Sequence, residues 1–270
     1  MIESKKINLD NLHEEDLKKT LLEYLQIDNT DNKPNLNHFV NQWVRIIYYD
    51  TIIIGKIHNI DNASIMRYSG YRITKNSLSK ITYDRLCTTA KNITLLTEEQ
   101  FKEFQVQLED KLAEVNLFYQ ELQEFCKTAN KPFPEIKGMV YPNKNEFLTM
   151  FITDDLLRTC GNLSLLEIRK RRLKIYYELL EKYQKRLDQS KKLVGKYFCT
   201  PYSIGLIYEI VKGTCHLNSM GFFLRENDWT STISTTINET TNMYEAPYKL
   251  YQKSQEIAYN IQDLHSRLLL

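Results

Sequence analysis

Arg169, Lys170, Arg171, Arg172 and Lys174 form the densest cluster of charge in the sequence. Neutralising phosphates takes clustered Arg and Lys, and Arg67-Tyr68-Ser69-Gly70-Tyr71-Arg72 adds bases interleaved with aromatics on which nucleobases stack. The competing reading is a basic helix face that is solvated or paired with neighbouring acids. Cys215-His216, with Cys199 upstream, brings thiol and imidazole together, but no C-x-x-C or H-x-x-x-H spacing completes a tetrahedral metal site. A Cys–His nucleophile also needs a base and an orienting group, and the sequence names neither. His13, His38, His58 and His265 are isolated and read as ordinary surface or core residues.

The acidic pairs Glu14-Glu15, Glu98-Glu99 and Asp154-Asp155 fall at expected helix starts or in polar stretches. At a helix start the dipole favours negative charge, without any acid–base chemistry. Gly55-Lys56 and Gly195-Lys196 echo a phosphate loop, but position 50 is Asp and position 190 is Ser where that loop needs glycine. No catalytic, cofactor or metal residue is therefore assigned, and the chain reads as a non-enzyme. The basic run 169–174 is the one candidate contact for an anionic partner.

The totals set the frame for these residues. A chain of 270 residues can form one large domain or two small ones, and 42% hydrophobic with 26% charged residues is globular composition. The net charge of +2 exerts no strong global field. Richness in Asn, Ile, Lys and Tyr with little Ala reads as the coding bias of an AT-rich genome. Five cysteines without paired spacing predict free thiols in a reducing cytoplasm. The N-terminal residues lack the apolar core of a signal peptide. The apolar run from Val44 to Ile57 is shorter than the ~18 residues of a spanning helix, so no membrane partner is expected.

The elements follow from periodicity. A short helix is predicted over 10–27, where Leu12, Leu17, Leu21 and Leu25 recur. Runs 43–49 and 51–57, then 65–68 and 71–74 around Ser69-Gly70, predict a small antiparallel β element; a buried helix through 39–57 is the alternative. Thr97 with Gln100, and Ser164 with Glu167, are capping boxes that open two long helices, 97–127 and 164–194. Phe101, Phe104, Leu108, Val115, Phe118, Leu122 and Phe125 fall at a and d positions of the first; Leu166, Leu173, Tyr176, Leu180, Tyr183 and Leu187 do so in the second. Leu165, Ile168, Ile175 and Leu179 widen the second helix's apolar face beyond one seam. A short helix is expected from Asn143 through Leu156. Thr200-Pro201 reads as the cap of another, Asp228 to Asn242 as a polar loop, and a last helix starts near Pro247. No internal repeat stands out.

The two long helices differ in charge, with eight acids against three bases in 97–127 and eleven bases against four acids in 164–196. Equal lengths, apolar seams and opposite charge predict an antiparallel coiled-coil hairpin in which Phe118 meets Leu173 and Phe104 meets Leu187. The fold expected is mainly α (α+β): 1–96 an N-terminal helix and β element, 97–196 the hairpin, 197–270 a C-terminal helical part. The function expected is a structural or assembly subunit of a larger, oligomeric protein complex, such as a virion or phage connector component. The alternative is nucleic-acid binding by the basic helix 164–196.

Overall fold

β-Branched and aromatic residues dominate the chain from Trp43, and the computed structural model shows that they extend far beyond one small element. It describes residues 36–61, 65–87, 92–149 and 164–269. The helix expected over 10–27 lies outside them, as does the continuation of the one expected from Asn143. The first half of the chain runs β1 (Trp43–Tyr48), β2 (Thr51–Asp61), β3 (Ile65–Thr74), β4 (Ser77–Cys87), β5 (Ile93–Leu95) and helix α1 (Glu98–Thr128). Two helices follow, α2 (Lys144–Thr149) and α3 (Leu165–Lys191). The second half runs β6 (Tyr197–Thr200), β7 (Ser203–Ile210), β8 (Leu217–Arg225), β9 (Asp228–Ile237), β10 (Tyr244–Glu245) and helix α4 (Tyr248–Leu269). All ten strands join one antiparallel sheet in the order β10-β6-β7-β8-β9-β4-β3-β2-β1-β5.

This overturns the mainly α fold and its coiled-coil hairpin. The seam of α1 is buried against the sheet and α4: Phe118 meets Trp229, with ring centres 6.3 Å apart. Leu166 of α3, which the register pairing Phe118 with Leu173 sets opposite Phe125, is 62% exposed. Apolar residues at heptad spacing serve a helix lying on a sheet as well as one in a coiled coil, and the sheet offers far more apolar surface. Two local expectations fail with it. Thr200-Pro201 leads into a two-residue turn between β6 and β7 rather than a helix, and the Ser/Thr-rich stretch from Asp228 is strand β9.

The sheet is one unit built twice. Each half is a four-stranded meander, a very short fifth strand paired with the meander's first, and a long helix. Gly55 faces Gly70 across β2 and β3, and Gly205 faces Gly221 across β7 and β8. The register slips after Ile57 and after Ile207, and between the third and fourth strands after Tyr68 and after Ser219. Left-handed Asn41 and Gly195 precede the two first strands, and their amides donate to Ile57 O (2.8 Å) and Ile207 O (2.7 Å). Trp43 stacks on Phe101 with ring centres 3.8 Å apart; Tyr197 packs on Tyr251 at 4.8 Å. A side chain at Gly70 would overlap the Ile54 carbonyl oxygen, and one at Gly221 that of Ile204, so the close approach of these strands requires glycine twice.

The halves meet where β4 pairs with β9, with Leu78 opposite Trp229. On either side, Lys80 N donates to Asn227 O (2.9 Å) and Ser231 N to Asn76 O (2.8 Å), the same bond seen from each half. A pseudo-twofold axis therefore passes through this junction. Helices α1 and α4 cover one face antiparallel to each other, joined by Asn260 to Glu114 (3.1 Å) and by the Lys253–Glu121 ion pair. Each also reaches the opposite half. Gln123 of α1 donates to Pro201 O in the β6–β7 turn, and His265 of α4 donates to Asp50 O (2.6 Å) in the β1–β2 turn. The main core between helices and sheet draws on both halves, with Ile52, Ile54, Ile73 and Leu78 beside Ile204, Phe222, Leu224 and Trp229. On the opposite face each half keeps its own smaller cluster, around Ile53, Ile57 and Tyr68 in the first and around Phe198, Ile207 and Leu217 in the second.

Candidate functional site

Helix α3 connects the halves and carries the basic run. Its N-terminus forms as the capping box predicts: Glu167 N donates to Ser164 Oγ (3.3 Å), and Glu167 Oε2 accepts from Ser164 N (2.8 Å). The Ser164 hydroxyl also donates to Glu167 Oε2 (2.7 Å), and that bond, then the one from Ser164 N, holds the Glu167 carboxyl below its ordinary range. Over its 27 residues α3 buries only Ile168, Tyr176, Tyr183 and Ser190. Tyr183 meets Tyr141 edge-on at 5.2 Å, and Ser190 Oγ donates to Cys215 O (3.0 Å). Arg169, Lys170, Arg171 and Lys174 are exposed and Arg172 is half-buried. Lys174 lies 4.0 Å from Glu178, a wet i,i+4 pair of little energetic weight.

Apolar residues stand exposed among these cations: Leu165, Leu166, Ile175 and Tyr177 are between 48% and 62% accessible. At 3.6 residues per turn, Leu166, Lys170, Leu173 and Tyr177 share one flank of the buried stripe, and Arg171, Ile175 and Lys182 share the other. Each flank therefore alternates greasy and cationic groups. The sequence signal for them was the excess width of the α3 apolar face, which asks for a further contact.

A second polar cluster lies beneath α1. Tyr71 Oη donates to Glu109, and Lys80 Nζ donates to the same carboxylate oxygen at 2.6 Å. Burial, then the bond to Glu109, push the Tyr71 phenol well above its ordinary value, so it stays neutral. Burial works against the Glu109 charge, but the hydrogen bonds from Lys80 and Tyr71 outweigh it and hold the carboxyl low. The counterpart of Tyr71 in the second half shows why this cluster is not duplicated. Phe222 stands where Tyr71 does, one residue after the third-strand glycine, and its ring offers no hydroxyl. The cluster is a closed set of satisfied bonds that ties α1 to β3 and β4.

The sequence's thiol and imidazole candidates are dispersed. Cys199 Sγ lies 3.7 Å from Cys126 Sγ in the core; the bond with Cys126, then burial, push the Cys199 thiol up. Cys215 is buried beneath α3, where its thiol donates to Tyr183 O (3.5 Å). His216 packs against Gly138. Cys126, Cys199 and Cys215 are free thiols.

No protein-family model, curated protein or solved structure matches this chain. Among the described residues, no helix is long and apolar enough to cross a membrane.

Proposed function

We propose that the protein is an assembly subunit that docks a protein partner along α3, with the duplicated sheet as a rigid platform. The observation that carries this reading is the pattern of α3: a 27-residue helix with one narrow buried stripe and exposed Leu166, Ile175 and Tyr177. Burying a Leu, Ile or aromatic side chain against a partner contributes ~1.5–3 kcal/mol each. The interleaved cations favour a partner whose rim is acidic. The sheet edges are poor alternatives, because β5 has three residues and β10 two, and short edge strands resist strand addition.

The exposed run Arg169, Lys170, Arg171 and Lys174 supports a second reading, binding of nucleic acid by the same helix. The apolar residues between the cations weigh against it, since phosphate contacts gain nothing from them.

Isolation of the untagged protein with its partners, followed by native mass measurement, tests both. The expected result is a defined stoichiometric protein complex that Leu166→Asp with Tyr177→Asp dissociates while thermal stability is kept. A complex that survives both substitutions would overturn the α3 reading. Duplex binding that falls steeply between low and moderate salt would favour the second.

A further inference from the structure

The pseudo-twofold relation allows the outer faces of the two halves to be compared residue by residue. In the first half that face is a filled cluster that includes Val44, Ile46, Ile53, Ile57, Met66 and Tyr68. In the second half, Phe198, Ile207 and Leu217 keep the apolar character of Val44, Ile57 and Met66. The remaining three positions have changed. Ile46 and Ile53 pair in the first hairpin, and their counterparts Thr200 and Ser203 pair in the second. Tyr68 lies two residues before Gly70, and the residue two before Gly221 is Ser219. Two isoleucines and a tyrosine have become three small hydroxyl residues at one end of the face.

A cavity of about 220 Å³ lies where those side chains are missing, lined by Thr200, Ser203, Ser219 and Thr232 with Phe223 and Met243. An apolar cavity of ~150 Å³ holds benzene, whereas drug-sized ligands need ~300 Å³ or more, so this space suits a single substituted ring. Of its hydroxyls, Thr200 and Ser203 bond each other (2.8 Å), and two more are spent on the backbone. Ser219 Oγ donates to Thr235 O (3.2 Å) and Thr232 Oγ1 donates to Gly221 O (3.1 Å). Both hydroxyls have used their protons on the backbone and keep only acceptor lone pairs. The lining contains no Lys, Arg or His, and its one charged residue is Glu239.

We propose that this cavity binds a free, neutral, single-ring molecule carrying a hydrogen-bond donor, the phenol class, in the space that Tyr68 fills with its own phenol in the first half. An anion would meet no cation there. A ligand without a donor would leave the Ser219 and Thr232 acceptors unpaired.

The test is titration of the full chain with p-cresol and with 4-methylanisole, in which the donor is blocked, followed by protein-observed NMR. Saturable one-to-one binding of p-cresol is expected, with 4-methylanisole about tenfold weaker. Ser219→Tyr restores the ring of the first half and should abolish binding. Should that variant fail to fold, Thr200→Ile restores the neighbouring aliphatic group and should weaken binding at least several-fold. The absence of saturation at about 10 mM p-cresol, equal affinity for both probes, or undiminished binding in the folded variants would each overturn the proposal. N-acetyl-tyrosine amide binding more tightly than p-cresol would overturn the assignment to a free molecule and point to a side chain offered by another protein.

Discussion

Leu78 lies directly opposite Trp229 where β4 pairs with β9 and joins the two meanders, and the two are the same position of the repeated unit. Both are fully buried, beside Phe118 of α1 and Phe222 of β8. The junction is therefore a core contact as well as a seam of backbone bonds, and the halves should stand or fall together.

Trp229→Ala is accordingly expected to cost ~3–5 kcal/mol and Leu78→Ala ~2–5 kcal/mol. Because the two side chains touch one shared space, the double substitution should depart from additivity by more than ~0.5 kcal/mol. Urea unfolding followed by circular dichroism measures all three. A single transition is expected in each, and separate transitions for the two halves would contradict the shared core.

The paired glycines give a sharper backbone test. Gly70 has φ +143° and no room for a Cβ beside Ile54 O, whereas Gly213 has φ +74° with open space around it. Gly70→Ala and Gly221→Ala should each destabilise by ~2 kcal/mol or more, through overlap with a neighbouring strand that cannot retreat. Gly213→Ala should lose only ~1 kcal/mol, from its left-handed backbone. Chemical denaturation of the three variants ranks them.

The Glu109 carboxyl sets a pH dependence with a defined sign. Hydrogen bonds from Lys80 and Tyr71 hold its folded pKa below the unfolded value, so its contribution is complete above the unfolded pKa of ~4.3. It is lost as pH falls through the folded value. Both side chains of the pair with Lys80 are more than a third exposed, which limits its worth to under ~1 kcal/mol. Glu109→Gln should be less stable than wild type at neutral pH and approach it below about pH 4. Urea midpoints at neutral and acid pH check this.

Burial also separates α1 from α3. Leu108 is fully buried in the main core, so Leu108→Ala should cost ~2–5 kcal/mol. Leu166 is exposed, and Leu166→Ala should change the stability of the isolated protein by less than ~0.5 kcal/mol. Thermal melts of both variants decide whether α3 is docked as described.

The legible parts of the fold were those with strong local signals. Capping residues at Thr97 and Ser164 marked both long helices, and β-branched runs marked β1, β2 and the span of β3, although Ser69-Gly70 lies inside β3 and does not divide it into a pair. Strand β9 escaped because its run of Thr and Ser read as a polar loop, and β6 and β7 escaped because Thr200-Pro201 read as a helix cap. Pro201 looked like the first residue of a helix because a hairpin turn and a helix start ask the same backbone angle of proline. The duplication was hidden because the paired third and fourth strands retain only Gly70/Gly221 and Asn76/Asn227 as identities. Of the candidate site, the basic run was plain from the sequence. Leu166 was misplaced, since its spacing suited a seam that the sheet has made unnecessary.

The crossing of α1 onto the opposite half also carries a consequence for synthesis. The helix ends at Thr128, and the strands it covers there, β6 and β8, are complete only at Arg225, about 100 residues later. At ~5–20 residues per second, a ribosome needs roughly 5–20 s to deliver them. Through that interval the face bearing Phe118 and Leu122 lacks the cover that β6 and β8 give it in the folded protein.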